Sequence, residues 1–138
     1  MSEQEKTFMD NKEMKIPVPV INPETQPFWD ATAEGKLLIK KCSDCGKVHY
    51  YPRSICPYCM SDNTAWLQCS GKGKIYSYSV FHKAKVPYCI AYVTLEEGVT
   101  MMTNIINTNL DEITIDMEVV LNFVNNGEGS ALPYFTKA

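Results

Sequence analysis

Hydrophobic and polar positions divide the chain into three patterns. Residues 1–15 are charged, with Phe8, Met9 and Met14 as possible apolar anchors. Such a stretch predicts a short surface helix or a disordered tail. Lys15-Ile-Pro17-Val-Pro19-Val-Ile-Asn-Pro23 alternates prolines with other residues, which predicts an extended linker. A helix follows: Thr25 or Gln26 caps it, Pro27 suits its first turn and Gly35 stops it. Phe28 and Trp29 open this helix, either as core plugs or as a surface for a ligand or partner.

The second pattern is a set of short strands. Leu37–Lys41 and Lys47–Tyr51 flank a tight turn, Pro52 ends the latter, and Thr64–Gln68 follows a second turn. From residue 66 onward the third pattern appears, strands with turn signals at regular intervals. Ser70-Gly71-Lys-Gly73-Lys74 reads as a flexible loop. Ile75–Phe81 reads as a strand with Tyr76, Tyr78 and Val80 on one face. Cys89–Leu95 and Val99–Ile106 are joined by a hairpin turn at Glu96-Glu97-Gly98. Ile113, Ile115 and Met117 alternate with polar residues. Val119–Val124 is a further strand, Asn125-Asn-Gly127 turns, and Leu132–Phe135 closes the chain. Roughly five antiparallel strands in this span fit a small Greek-key barrel of the OB type. The fold class expected is therefore mainly β, with an N-terminal helical segment (1–36), a ribbon (37–65) and a five-stranded OB-type barrel (66–138).

The two turns of the ribbon carry its chemistry. Cys42-Ser-Asp-Cys45-Gly46 and Cys56-Pro-Tyr-Cys59 are two Cys-x-x-Cys pairs with ten residues between them. Four soft thiolates complete a tetrahedron around Zn²⁺ and leave no position for water, so the metal would hold the fold and do no chemistry. Gly46 suits a positive φ and Pro57 stiffens the second turn. Disulfides need an oxidising compartment, and Met1-Ser-Glu-Gln-Glu-Lys has no apolar signal segment. A redox dithiol explains one pair and leaves the other unexplained. Iron in a rubredoxin-like cage uses the same ligands and stays open. Six cysteines without a secretory signal point to a reducing cytoplasm.

Charge changes the picture locally. The chain carries a net −3, yet residues 36–85 hold nine lysines and arginines against Asp44 and Asp62, a balance of +7. A basic middle in an acidic chain suggests an anion site such as a phosphate, with a solvated lysine face as the alternative. No apolar run approaches the roughly 20 residues that cross a bilayer.

Catalytic signals are lacking. The sequence shows no Ser/His/Asp arrangement, phosphate loop or dinucleotide fingerprint. His49 reads as a surface or second-layer residue beside a complete cage, and His82 with Lys83 and Lys85 as an exposed cluster or a phosphate contact. Cys69 and Cys89 read as small buried hydrophobes, with a nucleophilic Cys89 as the sharper alternative. Glu96-Glu97 and Asp111-Glu112 fall in turns, where acids need no catalytic reason.

The order of these parts carries a resemblance. Pro27-Phe28-Trp29-Asp30-Ala31-Thr32-Ala33-Glu34-Gly35-Lys36-Leu37 leads into Lys41-Cys42-Ser-Asp-Cys45-Gly46. Tyr51-Pro52-Arg53 precedes Cys56-Pro57-Tyr-Cys59, and Ser70-Gly71-Lys-Gly73-Lys-Ile-Tyr76-Ser77-Tyr78-Ser79-Val80 opens the barrel. Residues 20–124 closely resemble the rubredoxin-like zinc-ribbon plus OB-fold family of acyl-CoA-associated proteins, long filed as a domain of unknown function. Met60 departs from the family, where a Gly often follows the second pair.

The resemblance implies a non-catalytic accessory subunit in a hetero-oligomer. Its partner would be a thiolase-like enzyme, an aldolase or a hotdog-fold hydratase, and it would help hold acyl-CoA. The residues this puts forward for CoA or partner are Phe28, Trp29, Lys72, Lys74, Tyr78, His82 and Lys83; Cys42, Cys45, Cys56 and Cys59 are the metal ligands. Two other functions compete. One is a single-stranded nucleic-acid module with Tyr76, Tyr78 and Tyr92 as a stacking platform, which the acidic total opposes. The other is an iron-containing electron carrier.

Overall fold

The structure is a computed structural model that describes residues 18–127 and 129–138. The surface helix or tail expected over residues 1–15, and the first three residues of the proline linker, lie outside the described residues. Residues 18–22 have no regular structure, and Val20 is almost fully exposed.

Helix α1 spans Gln26–Ala33. Pro27 sits in its first turn, where its missing N–H costs nothing. Thr25 is the N-cap, but its side chain makes no capping bond; instead its N–H donates to Asn22 Oδ1 at 3.0 Å. The helix ends in a Schellman motif: the Lys36 N–H donates to the Ala31 carbonyl and the Gly35 N–H to that of Thr32. Gly35 has the φ of +78° this requires.

Strands β1 (Leu38–Cys42), β2 (Val48–His49) and β3 (Thr64–Gln68) form a sheet ordered β2-β1-β3, antiparallel throughout. The strand expected over 47–51 is only two residues long. His49, expected at the surface or beside the cage, is buried.

The remaining strands are β4 (Lys72–Phe81), β5 (Tyr88–Leu95), β6 (Thr100–Ile105), β7 (Glu118–Asn125) and β8 (Ala131–Lys137), with a one-turn 3-10 helix at Leu110–Glu112 before β7. They close into a barrel ordered β4-β5-β6-β8-β7. The five-stranded OB-like barrel is thus as expected, with three corrections. First, β6 and β8 run parallel, joined at Ile105 and Phe135, whereas all other neighbours are antiparallel. Second, Lys72–Lys74 is strand rather than flexible loop, because it pairs with Glu118–Val120. Gly73 lets the same segment lie close against β5 on its other side, since a Cβ there would lie 2.7 Å from Val93 Cγ1 and 2.8 Å from the Thr94 carbonyl oxygen. Third, the register shifts between Ile75 and Ser77. The extra residue is Tyr76, so Tyr76 and Tyr78 do not share a face: Tyr78 lies opposite buried Ala91 and Val80 opposite buried Cys89.

One core joins all three regions. Phe28 and Trp29 of α1 and Leu37 and Ile39 of the ribbon pack in one cluster with Ile75, Val93, Met101 and Phe135 of the barrel. Thr32 ties α1 to β8: its hydroxyl donates to the Trp29 carbonyl at 2.6 Å and accepts from the Ala131 N–H at 3.1 Å. Among the described residues no helix is long and apolar enough to cross a membrane.

Candidate metal centre and binding surfaces

The ribbon brings its four cysteines to one point. The sulfurs of Cys42, Cys45, Cys56 and Cys59 all lie within 4.8 Å of one another. Cys42 Sγ is 3.5 Å from Cys59 Sγ, and Cys45 Sγ is 3.7 Å from Cys56 Sγ. These separations are far beyond a disulfide bond of about 2.05 Å. They match the roughly 3.8 Å that a tetrahedron with metal–sulfur bonds near 2.3 Å imposes. The donor set therefore fits a structural tetrahedral metal.

The two pairs are built alike. In the first knuckle the Gly46 N–H donates to the Cys42 carbonyl, and in the second the Met60 N–H donates to that of Cys56, each at 2.9 Å. Both turning residues are left-handed, Gly46 at φ +77° and Met60 at φ +68°. The Met60 departure leaves the backbone path unchanged. Amide hydrogens point at the sulfurs: the Cys45 N–H reaches Cys42 Sγ and the Tyr58 N–H reaches Cys56 Sγ, both at 3.4 Å. The Cys45 amide, helped by that of Asp44, holds the Cys42 thiol down to about 7, which favours the thiolate a metal needs.

Around the ligands sits a clamp that motif reading missed. Ser61 Oγ–H donates to Asp44, and Asn63 Nδ2 donates to the other Asp44 oxygen at 3.3 Å. The Ser43 N–H adds a 2.8 Å bond to the Asn63 carbonyl. Asp44 lies between the first pair and Ser61 and Asn63 just after the second, so the clamp locks one knuckle to the other. The Ser61 and Asn63 donors hold the Asp44 carboxyl below its ordinary range. Glu24 similarly accepts from the Ser54 N–H at 2.6 Å, tying the approach to α1 onto the ribbon.

His49 makes no part of this site. Its Nε2 accepts from the Arg53 N–H at 3.3 Å, its buried Nδ1 has no partner among the described residues, and burial lowers its pKa. It is a neutral ring supporting the Arg53 turn. Cys69 and Cys89 are buried thiols, pushed up to about 12 and about 11 by burial, with the Glu97 charge adding to the first. Neither is an activated nucleophile. Glu97 itself accepts from the Ser70 N–H at 2.9 Å and so pins the loop entering the barrel.

The candidate CoA or partner residues fall in separate places. Phe28 is fully buried, in edge contact with Trp29 at 4.8 Å and with Tyr51 at 5.4 Å. Trp29 is also buried, donates from Nε1 to the Tyr51 hydroxyl at 2.7 Å, and reaches the wall of an open groove of about 260 Å³. Lys72 and Lys74 line a cleft of about 410 Å³ beside Glu96, Asp116 and Glu118, where carboxylates offset the lysines. Tyr78 lies further along β4. His82 and Lys83 follow the far end of that strand, roughly 30 Å from Lys72 at about 3.3 Å per residue.

The basic middle of the sequence is likewise dispersed. Lys40 sits over the Trp66 ring at 4.2 Å and Lys47 over the Tyr58 ring at 5.0 Å. Both belong to the ribbon. Lys40 and Lys47 of the ribbon, Lys72 and Lys74 at one end of β4 and Lys83 beyond the other thus serve different elements and do not converge on one anion.

Comparison with known proteins agrees with this architecture. Residues 29–65 match the family model of the ChsH2 rubredoxin-like zinc ribbon domain, and residues 66–124 that of the ChsH2 C-terminal OB-fold domain. A probable enoyl-CoA hydratase alpha subunit of Thermomonospora curvata is 32% identical over 88% of this chain and 40% of its own length. The chain thus spans less than half of that relative. A DUF35 domain-containing scaffold protein of Methanocaldococcus jannaschii is 37% identical over 66% of this chain and 70% of its own length. Among solved structures, a chain of the Ltp2-ChsH2(DUF35) aldolase superposes with a TM-score of 0.75 at 30% identity, covering 87% of this chain and 98% of that one. With its paired cysteine knuckles set on a closed OB barrel, this chain belongs to the DUF35 family of ChsH2-type zinc-ribbon and OB-fold proteins.

Proposed function

We propose that the protein is a non-catalytic, zinc-containing accessory subunit that docks on a thiolase-like enzyme, an aldolase or a hydratase and helps it handle acyl-CoA. The observation that carries this reading is a closed four-thiolate ribbon packed in one core with an OB-type barrel, the architecture shared with a DUF35 domain-containing scaffold protein. A tetrahedral four-sulfur site has no open coordination position, so its work is structural. The relatives point the same way by name. They are called a scaffold protein, a hydratase alpha subunit and an aldolase of two named components.

Zinc rather than iron is the assignment, and metal analysis of a colourless preparation should return about one zinc per chain. The resemblance puts forward Lys72 and Lys74 for CoA phosphates, against the opposing charge of Glu96, Asp116 and Glu118 in the same cleft. The decisive experiment is an affinity pull-down from the native cell, with and without nuclease, identified by mass spectrometry. A thiolase-like, aldolase or hydratase partner that survives nuclease is the expected result. Recovery of nucleic acid with ribosomal or replication proteins, lost on nuclease treatment, would overturn the reading.

A further inference from the structure

The outer surface of the first three barrel strands is an uncharged, largely apolar face that none of the described residues covers. Register places Tyr92 between Ser77 on β4 and Met102 on β6, and Ile90 between Ser79 and Asn104. The bulge turns Tyr76 onto the same side, where it is 68% exposed; Met102 is 59% and Tyr92 46% exposed. Further along, Phe81 stacks on Tyr88 with ring centroids 4.8 Å apart. No outward position of β5, of β6, or of β4 from Tyr76 onward carries a formal charge. In a chain where 21% of residues are charged, β7 and β8 likewise carry charge only at Glu118 and Lys137, but their Val124 and Tyr134 are buried, whereas this face is open. Charges return only at its two ends, at Lys74 with Glu96 and at His82-Lys83.

One margin of this face opens into the groove of about 260 Å³, between Ile90 and Met102 on one side and Trp29 and Tyr134 on the other. That volume is below the roughly 300–1,000 Å³ of small-ligand sites, and suits a bulky anchoring side chain. The exposed portions of the aromatic residues and Met102 amount to on the order of 500 Å², taking about 200 Å² for each whole side chain. A patch of this size is at the upper end for a monomer and supplies more than half of the roughly 800 Å² that one partner contributes to a standard interface.

We propose that this face, with its groove, is where the enzyme subunit docks, presenting an uncharged apolar surface and one bulky side chain that fills the groove. The proposal rests on the accessory-subunit reading and adds the surface that reading lacks. The layout is that of an interface: apolar centre, an anchor pocket, charges at the rim. Strand addition is unavailable at the centre of the face, because β5 is paired on both sides, by β4 and by β6. A nucleic-acid strand would find aromatic faces but no cation among them to meet its phosphates.

The test uses the full chain and the recombinant enzyme subunit identified in the pull-down. Tyr92→Glu and Met102→Glu each place a charge at the centre of the face, on side chains exposed enough for the fold to survive. Metal content and melting temperature check that. Each variant should bind the enzyme subunit at least about 30-fold more weakly, the scale of an interface hot spot. Lys85→Glu, outside the face, should change binding less than about threefold. If wild type binds and both face variants bind equally well, the docking assignment is overturned while the accessory reading stands. If wild type captures no acyl-CoA enzyme, both fall together. If the variants instead change a monomer–dimer equilibrium in sedimentation and leave enzyme binding intact, the occupant is a second copy of this chain and the proposal is overturned.

Discussion

The ribbon and the barrel solve the same problem, too little core for the chain length, by different means. The knuckle end of the ribbon leaves Ile55, Tyr58 and Met60 42%, 58% and 76% exposed and packs almost nothing between its two turns. Its order comes from four sulfurs and the Asp44 clamp. The barrel instead encloses Ile75, Val93, Met101 and Phe135, all essentially without exposure. Metal coordination replaces hydrophobic burial where the sheet is small, and burial suffices once the sheet closes on itself. The base of the ribbon, Leu37 and Ile39, belongs to the barrel's core and marks where one mode hands over to the other.

Metal removal should break this comparison most visibly. Structural zinc contributes roughly 10–16 kcal/mol of apparent folding free energy in small domains. Chelation, or Cys56→Ser, should release residues 42–64 to fast hydrogen exchange while the core amides of β5 and β6 stay protected. Loss of protection in both regions at the same chelator concentration would show that the metal holds the barrel as well. The converse perturbation is Phe135→Ala. It removes a fully buried ring at the point where β6 meets β8, at a cost of about 3–5 kcal/mol. The melting temperature should fall sharply while zinc stays bound up to the transition. Early release of zinc from this variant would mean that the ribbon depends on the barrel core.

The two regions also differ in how well the sequence displays them. The ribbon was legible because its determinants are local. Ligand spacing and the glycine after the first pair each act within a few residues, as does the helix stop at Gly35 just before the ribbon. The barrel was legible as a count of strands, since alternation and turn residues are local too. Its closure was not. The parallel contact of Ile105 with Phe135 joins positions thirty residues apart, and the bulge at Tyr76 depends on where Val93 and Tyr92 sit on the next strand. The same bulge decides which tyrosines form the outer face, so the candidate docking surface was hidden for the same reason. Trp29 illustrates the limit at one residue. Its type and place in the helix allow either core or contact, and only the tertiary structure shows a buried ring whose edge borders an open groove. Glu97 looked like an ordinary turn acid, and nothing in its neighbourhood of sequence announces the bond to the Ser70 amide.

The smallest effect separates the two knuckles from each other. Gly46 and Met60 hold equivalent left-handed positions and donate equivalent 2.9 Å bonds to the first cysteine of each pair. Glycine adopts that conformation freely, whereas a residue with a Cβ is strained there by roughly 1–2 kcal/mol. The Met60 side chain, largely exposed, gains little packing in return. Met60→Gly should therefore relieve the strain, though glycine also loosens the unfolded chain and offsets part of the gain. The net expectation is a stabilisation of about 0.5–1 kcal/mol, read as a higher chelator concentration needed to strip the metal, with no change in the exchange of the barrel core. Gly46→Ala is the mirror experiment and should weaken metal retention by a similar amount, because open space around Gly46 leaves the backbone angle as the only penalty. A Met60→Gly variant that loses zinc more easily would mean that the exposed methionine covers the cage, and that the two knuckles are equivalent in path but not in protection.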